Sequence, residues 1–182
     1  MIDFKNMSPK ILVIGDLIID KYLWGDCDRI SPEAPVQIVN IKNENTLLGG
    51  AGNVVNNLNT LGAQVDVISV IGDCENSNLV KELLLNIGIN TKYLITQKSR
   101  ITPIKSRIIA SHQQVVRYDH ESTEEINSKS QVLVEELLKN IIQDYDSVLI
   151  SDYGKGVISS SLSQSIIKIA NKHSKKVLVD PK

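Results

Sequence analysis

Short apolar runs that end in glycine or a polar residue recur along this chain. Lys10-Ile11-Leu12-Val13-Ile14-Gly15-Asp16 is the first, and 64–70, 146–151 and 176–180 repeat the pattern. A run with apolar residues at successive positions suits a strand buried on both faces, the habit of parallel sheets. Between the runs lie stretches of helical periodicity: 50–61, 77–87, 128–142 and 159–173. Gly62 and Gly88 stand just past two of them, where a helix ends most easily on glycine. In 128–142 the apolar stripe is Val132, Leu133, Leu137, Leu138, Ile141 and Ile142. In 159–173, Leu162, Ile166, Ile167, Ile169 and Ala170 are expected inward. Strands alternating with helices predict an α/β fold built on a doubly wound, mostly parallel sheet.

Two segments break that rhythm, about 20–42 and 103–119. The first holds strand-like pieces at 21–24 and 35–41, separated by a proline-bearing stretch that disfavours helix. The second holds pieces at 104–110 and 114–118 around a polar turn at Ser111-His112-Gln113. They predict a small antiparallel flap beside the main sheet, lying over the carboxyl ends of its strands, where open α/β sheets bind ligands. Residues 1–9 read as a tail, 10–182 as the folded portion, and 119–130 as a solvated link into the next helix.

The 182 residues carry a formal net charge of −1, so no basic field calls for nucleic acid or an anionic membrane. No apolar run is long enough to span a bilayer, and the N-terminus lacks the apolar core of a signal peptide. Cys27 and Cys74 are isolated and read as reduced thiols, consistent with a cytoplasmic protein. The three histidines have no metal-ligand spacing, so no metal site is expected in the chain.

Candidate binding residues gather at the strand ends. Asp16 closes the first run and Asp20 follows it; a carboxylate accepts several hydrogen bonds and can hold adjacent hydroxyls of a sugar. Asp16 alternatively caps a turn. Gly49, Gly50 and Gly52 open the helix at 50–61, with Asn53 one turn inside. This is either a packing loop or a ligand loop offering free backbone N–H groups and an amide. Lys105 and Arg107 share one strand face by period two, and Arg117 lies nearby. Such cations need an intervening anion, for which phosphate is one candidate, or a solvated edge. Ser151-Asp152-Tyr153-Gly154-Lys155-Gly156 places a lysine and free N–H groups at another strand end, and Asp180-Pro181-Lys182 ends a third. No Walker A sequence occurs, and no dinucleotide fingerprint follows the first strand, which argues against a nucleotide-dependent oxidoreductase.

Gly15-Asp16 with Asp20, the run Gly49-Gly50-Ala51-Gly52-Asn53 and the two flap segments resemble the amino-terminal part of the ribokinase-like (PfkB) carbohydrate kinases. Arg29-Ile30-Ser31-Pro32-Glu33-Ala34-Pro35, His112 to Arg117, Ser151 to Gly156 and Val179 to Lys182 are similar to one branch. These are the kinase domains of bacterial bifunctional heptose 7-phosphate kinases/heptose 1-phosphate adenylyltransferases. The resemblance implies ATP- and Mg²⁺-dependent phosphorylation of the anomeric hydroxyl of D-glycero-β-D-manno-heptose 7-phosphate, on the way to ADP-heptose for lipopolysaccharide. It implies that Asp20, Gly49, Gly50 and Asn53 hold sugar hydroxyls, with Asp16 and Asp152 at the same edge. Lys105, Arg107, Arg117 and Lys155 become candidates for the 7-phosphate, and Lys182 for a nucleotide contact. It also implies a homodimer through the flap. The resemblance puts the catalytic base in a Gly-Ala-Gly-Asp-like loop and an Asn-x-x-Glu motif, both after the Asp-Pro-Lys strand; neither occurs here. The expectation is therefore an amino-terminal fragment, inactive alone, with its base beyond residue 182. Another PfkB-type sugar kinase and a non-catalytic sugar-phosphate-binding module remain alternatives.

Overall fold

The computed structural model describes residues 8–182; most of the expected tail at 1–9 lies outside them. Five strands form a wholly parallel sheet: β1 (Lys10–Gly15), β4 (Gln64–Ile71), β5 (Leu94–Thr96), β8 (Ser147–Ser151) and β9 (Lys176–Asp180), in the order β5-β4-β1-β8-β9. Four helices cover it: α1 (Ala51–Thr60), α2 (Glu75–Asn86), α3 (Ser128–Ile141) and α4 (Ser160–Lys172). The side-chain alternation of β1 shows why both faces must be covered. Leu12 and Ile14 pack with Val134 and Leu138 of α3 and with Leu162 and Ile166 of α4. Val13 points the other way, onto Val55 of α1 and Val80 and Leu84 of α2. Strand order reverses between β1 and β8, so their carboxyl ends flank the switch point at which open α/β sheets bind ligands.

The second sheet is the lid: β2 (Leu17–Ile30), β3 (Gln37–Gly50), β6 (Ile104–Ala110) and β7 (Gln113–His120), ordered β3-β2-β6-β7. β2–β3 and β6–β7 are antiparallel hairpins, and β2 and β6 join them through a parallel pairing. The lid is larger than the sequence suggests. β3 does not stop near Lys42 but runs to Gly50, so the diglycine is the end of a strand that feeds directly into α1. Leu17 and Ile19, at the root of β2, are buried in the same core as α1 and α2, which fastens the lid to the main sheet.

Several expectations are corrected. On α3 the buried face is Ser130, Val134 and Leu138, whereas Val132 is 51% and Leu133 40% exposed. The Asn127 side chain accepts from Ser130 N (2.8 Å) and fixes the helix start, while core packing buries the i, i+4 pair Val134 and Leu138. On α4, Ile167 is exposed while Leu162, Ile166, Ile169 and Ala170 are buried. β9 is not a buried strand: Leu178 and Val179 are 57% and 52% exposed at the sheet edge. β5, only three residues long, gave no periodic signal. Both cysteines are free and half-buried.

Candidate functional site

The first carboxylate at the switch point is consumed by the protein itself. Asp16 is 1% exposed. Its Oδ2 accepts from the backbone N–H groups of Tyr153 (2.9 Å) and Lys155 (3.1 Å), and its Oδ1 from that of Val157 (2.9 Å). Its backbone carbonyl accepts from Ala51 N (2.9 Å), the first residue of α1. One residue therefore ties β1 to the 152–157 loop and to the start of α1. The expectation that the loop's N–H groups stand free for a ligand is corrected, because an internal anion already fills that nest of donors. The turn-capping reading of Asp16 comes nearer, although the loop it caps lies more than 130 residues away in sequence. Asp152 shapes the same loop, its Oδ1 accepting from Gly154 N (2.8 Å) in an Asx turn.

A residue that sequence reasoning missed braces this loop from the other side. Arg100 is 4% exposed and donates to the carbonyls of Glu124 (3.0 Å) and Lys155. Burial lowers its pKa from the ordinary value, while the charges of Asp16 and Glu124 oppose that shift. The Lys155 peptide is thus clamped twice, its N–H by Asp16 and its C=O by Arg100. No periodicity marks Arg100, since its partners come from two distant loops.

Asp20 presents a different environment. It lies on β2 with its side chain 23% exposed, and its Oδ1 pairs with Arg107 Nη1 at 2.5 Å. Gly49 is the residue a methyl group would spoil, because a Cβ there would collide with the other Asp20 oxygen. Gly50 has φ +55 and abuts the Asp16 carbonyl, so both its conformation and its closeness demand glycine. Asn53 is exposed on the first turn of α1. The strand end and helix start therefore bring Asp20, Gly49, Gly50 and Asn53 together, with Asp16 underneath.

The lid face carries the cations. Asp20 pairs in register with Lys105, Tyr22 with Arg107, Lys105 with Asp119, and Arg107 with Arg117. The Arg107 guanidinium lies 5.1 Å from the Tyr22 ring centroid, and Tyr22 stacks on Trp24 at 5.6 Å. Lys105 Nζ lies 2.9 Å from Asp119 Oδ2 and 3.5 Å from Glu121 Oε2, while Arg117 Nε lies 3.1 Å from Asp119 Oδ1. Lys155, reaching up from the strand-end loop, puts its Nζ 2.6 Å from Glu121 Oε1. Carboxylates of Asp20, Asp119 and Glu121 thus supply the anions that the cations require; sequence reasoning did not single out Asp119 or Glu121. The hydrogen bond from Lys105, foremost, lowers the Asp119 pKa from its ordinary value. Lys182 lies against Gly154, beside the loop rather than among these cations.

Among the described residues no group of three or more His, Cys, Asp or Glu converges as a cation site.

Known proteins share this fold. Solved carbohydrate kinases share the fold at low identity. One from Agrobacterium tumefaciens superposes with a TM-score of 0.68 at 20% identity, over 95% of this chain and 53% of its own. Arabidopsis thaliana ribokinase, complexed with ribose and ATP, gives 0.64 at 17% identity, over 96% and 54%. Curated relatives are nearer in sequence. The bifunctional protein HldE of Aliarcobacter butzleri is 61% identical over 97% of this chain, and that of Sulfurimonas denitrificans 54% identical over 98%. The chain spans 37% of the length of each. The model of the pfkB family carbohydrate kinases matches residues 8–182, the whole described structure, and the chain belongs to that family.

Proposed function

We propose that the chain is the substrate-holding part of a kinase that phosphorylates the anomeric hydroxyl of D-glycero-β-D-manno-heptose 7-phosphate to the 1,7-bisphosphate. The observation that carries this reading is the pairing of a partly exposed Asp20 with a cation-rich lid face. Asp20 and Asn53 receive sugar hydroxyls, and the close approach at Gly49 and Gly50 leaves room for the ring. Lys105, Arg107, Arg117 and Lys155 lie where a phosphate ester on the same sugar can meet them. HldE relatives at 54–61% identity support a heptose phosphate over other sugars. The phosphoryl donor is ATP with Mg²⁺, in keeping with the family. The catalytic base is not among these 182 residues, which contain no Gly-Ala-Gly-Asp sequence. The lid closes over the sugar and keeps water from the transferred phosphoryl group. We further propose that two copies pair through their lids, in the cytoplasm, with the product passing to ADP-heptose and the lipopolysaccharide core.

The test has two parts. The protein from the full reading frame is assayed for ATP-dependent phosphorylation of heptose 7-phosphate, of the same heptose without phosphate, and of fructose 6-phosphate. Preference for heptose 7-phosphate is expected; equal or better use of fructose 6-phosphate sinks the substrate assignment. The 182-residue chain is then titrated calorimetrically with heptose 7-phosphate, and binding without turnover is expected.

A further inference from the structure

We propose that Glu121 is a built-in stand-in for the phosphate of the substrate: its carboxylate occupies the anion position and is displaced when a phosphorylated sugar binds. This rests on the sugar-phosphate reading above and adds a residue that sets the anion affinity of that site.

Glu121 sits between two ammonium groups from separate parts of the fold, Lys155 of the strand-end loop at 2.6 Å and Lys105 of the lid at 3.5 Å. All three side chains are largely shielded, at 14–16% exposure. The fit is incomplete: Glu121 Oε2 is cut off from solvent, and its ammonium neighbour, Lys105 Nζ at 3.5 Å, makes no hydrogen bond to it. A buried carboxylate oxygen without a donor is an unfavourable arrangement. A phosphate monoester brings three free oxygens in tetrahedral array and can reach both lysines at hydrogen-bonding distance.

The backbone of Lys155 is held at both its N–H and its C=O, by Asp16 and Arg100, so the root of this cation stays in place while the anion exchanges. Glu121 hangs by a flexible side chain just past the end of β7. Charge gives the same answer. Lys105, Arg107, Arg117 and Lys155 face Asp20, Asp119 and Glu121, a surplus of one positive charge. A phosphate dianion entering with all three carboxylates in place would leave the cluster net negative. Withdrawal of Glu121, which neutralises two lysines at once, restores the balance.

The inference predicts a gain of affinity on substitution. Glu121→Gln keeps the size and removes the charge. By calorimetry on the purified protein, it is expected to bind heptose 7-phosphate about tenfold more tightly than the wild type, as loss of one repulsive near-contact charge implies. Affinity for the same heptose without its phosphate should not change. Glu121→Asp, shorter but still charged, should bind the phosphorylated sugar no more tightly than the wild type. Melting temperatures of all three report whether the fold survives. Unchanged or weaker binding of heptose 7-phosphate by folded Glu121→Gln overturns the stand-in role. A wild type that binds phosphorylated and unphosphorylated heptose equally overturns the phosphate reading itself, and the stand-in with it.

Discussion

The strand-end loop and the lid face use the same chemistry to opposite ends. At the strand end, Asp16 is buried and its oxygens are taken by three backbone donors. On the lid, Asp20 stands four residues later and keeps a fifth of its side chain in solvent, paired with a single arginine. A carboxylate withdrawn from water must be hydrogen-bonded inside the protein, and those internal partners then hold it out of solvent. A carboxylate at a half-open surface can exchange partners at little cost. Burial therefore decides which of two neighbouring aspartates builds architecture and which is available for binding.

The contrast should break most sharply at Asp16. Asp16→Asn leaves an amide N–H group facing backbone donors and removes the charge. It is expected to cost about 3 kcal/mol of unfolding free energy, read by chemical denaturation. Arg100→Met, on the carbonyl side of the same loop, should cost about 2 kcal/mol, since two partly buried carbonyls lose a charged donor. Its Lys155 resonances should broaden in NMR spectra while those of β9 stay sharp. Gly50→Ala forces a methyl-bearing residue to φ +55 and should cost about 1–2 kcal/mol or more, given the Asp16 carbonyl alongside.

Effects on stability should then fall away at the lid. Asp20→Asn is expected to change stability by about 1 kcal/mol, less than Asp16→Asn, because the Arg107 pair is only partly withdrawn from solvent. Sugar binding should nevertheless weaken more than tenfold; a large loss of stability with intact binding would erase the distinction between the two aspartates. The smallest effect concerns pH. Since the folded pKa of Asp119 is lowered, chiefly by Lys105, its ion pairs contribute fully above the ordinary aspartate pKa of about 3.9. That contribution is lost as pH falls below this value, through the lower folded pKa. A carboxyl NMR titration should place the Asp119 midpoint below about 3.9.

Much of the fold was legible in the sequence. The runs at 10–16, 64–70 and 146–151 form central strands, and Gly62 and Gly88 adopt positive φ just past their helices. The errors have physical causes. In α3, neighbouring apolar residues such as Val132 and Leu133 satisfy more than one helical face, and only packing against the sheet selects Val134 and Leu138. At β9, an apolar run is equally consistent with a central strand and an edge, and the sheet order makes it an edge. At the site, the sequence placed Asp20, Gly49, Gly50, Lys105 and Arg107 in one neighbourhood but gave no sign of Arg100 or Glu121. Both act through partners remote in the chain, which no local pattern encodes.

The sequence by itself determined the alternation of strands and helices, the two lid segments and the glycine positions, because periodicity and backbone freedom are properties of neighbouring residues. Only the tertiary structure decided that the Asp16 carboxylate ties down the 152–157 loop, and that the lid cations already have carboxylate partners. Burial and pairing depend on which distant segments the folded chain brings within hydrogen-bonding distance.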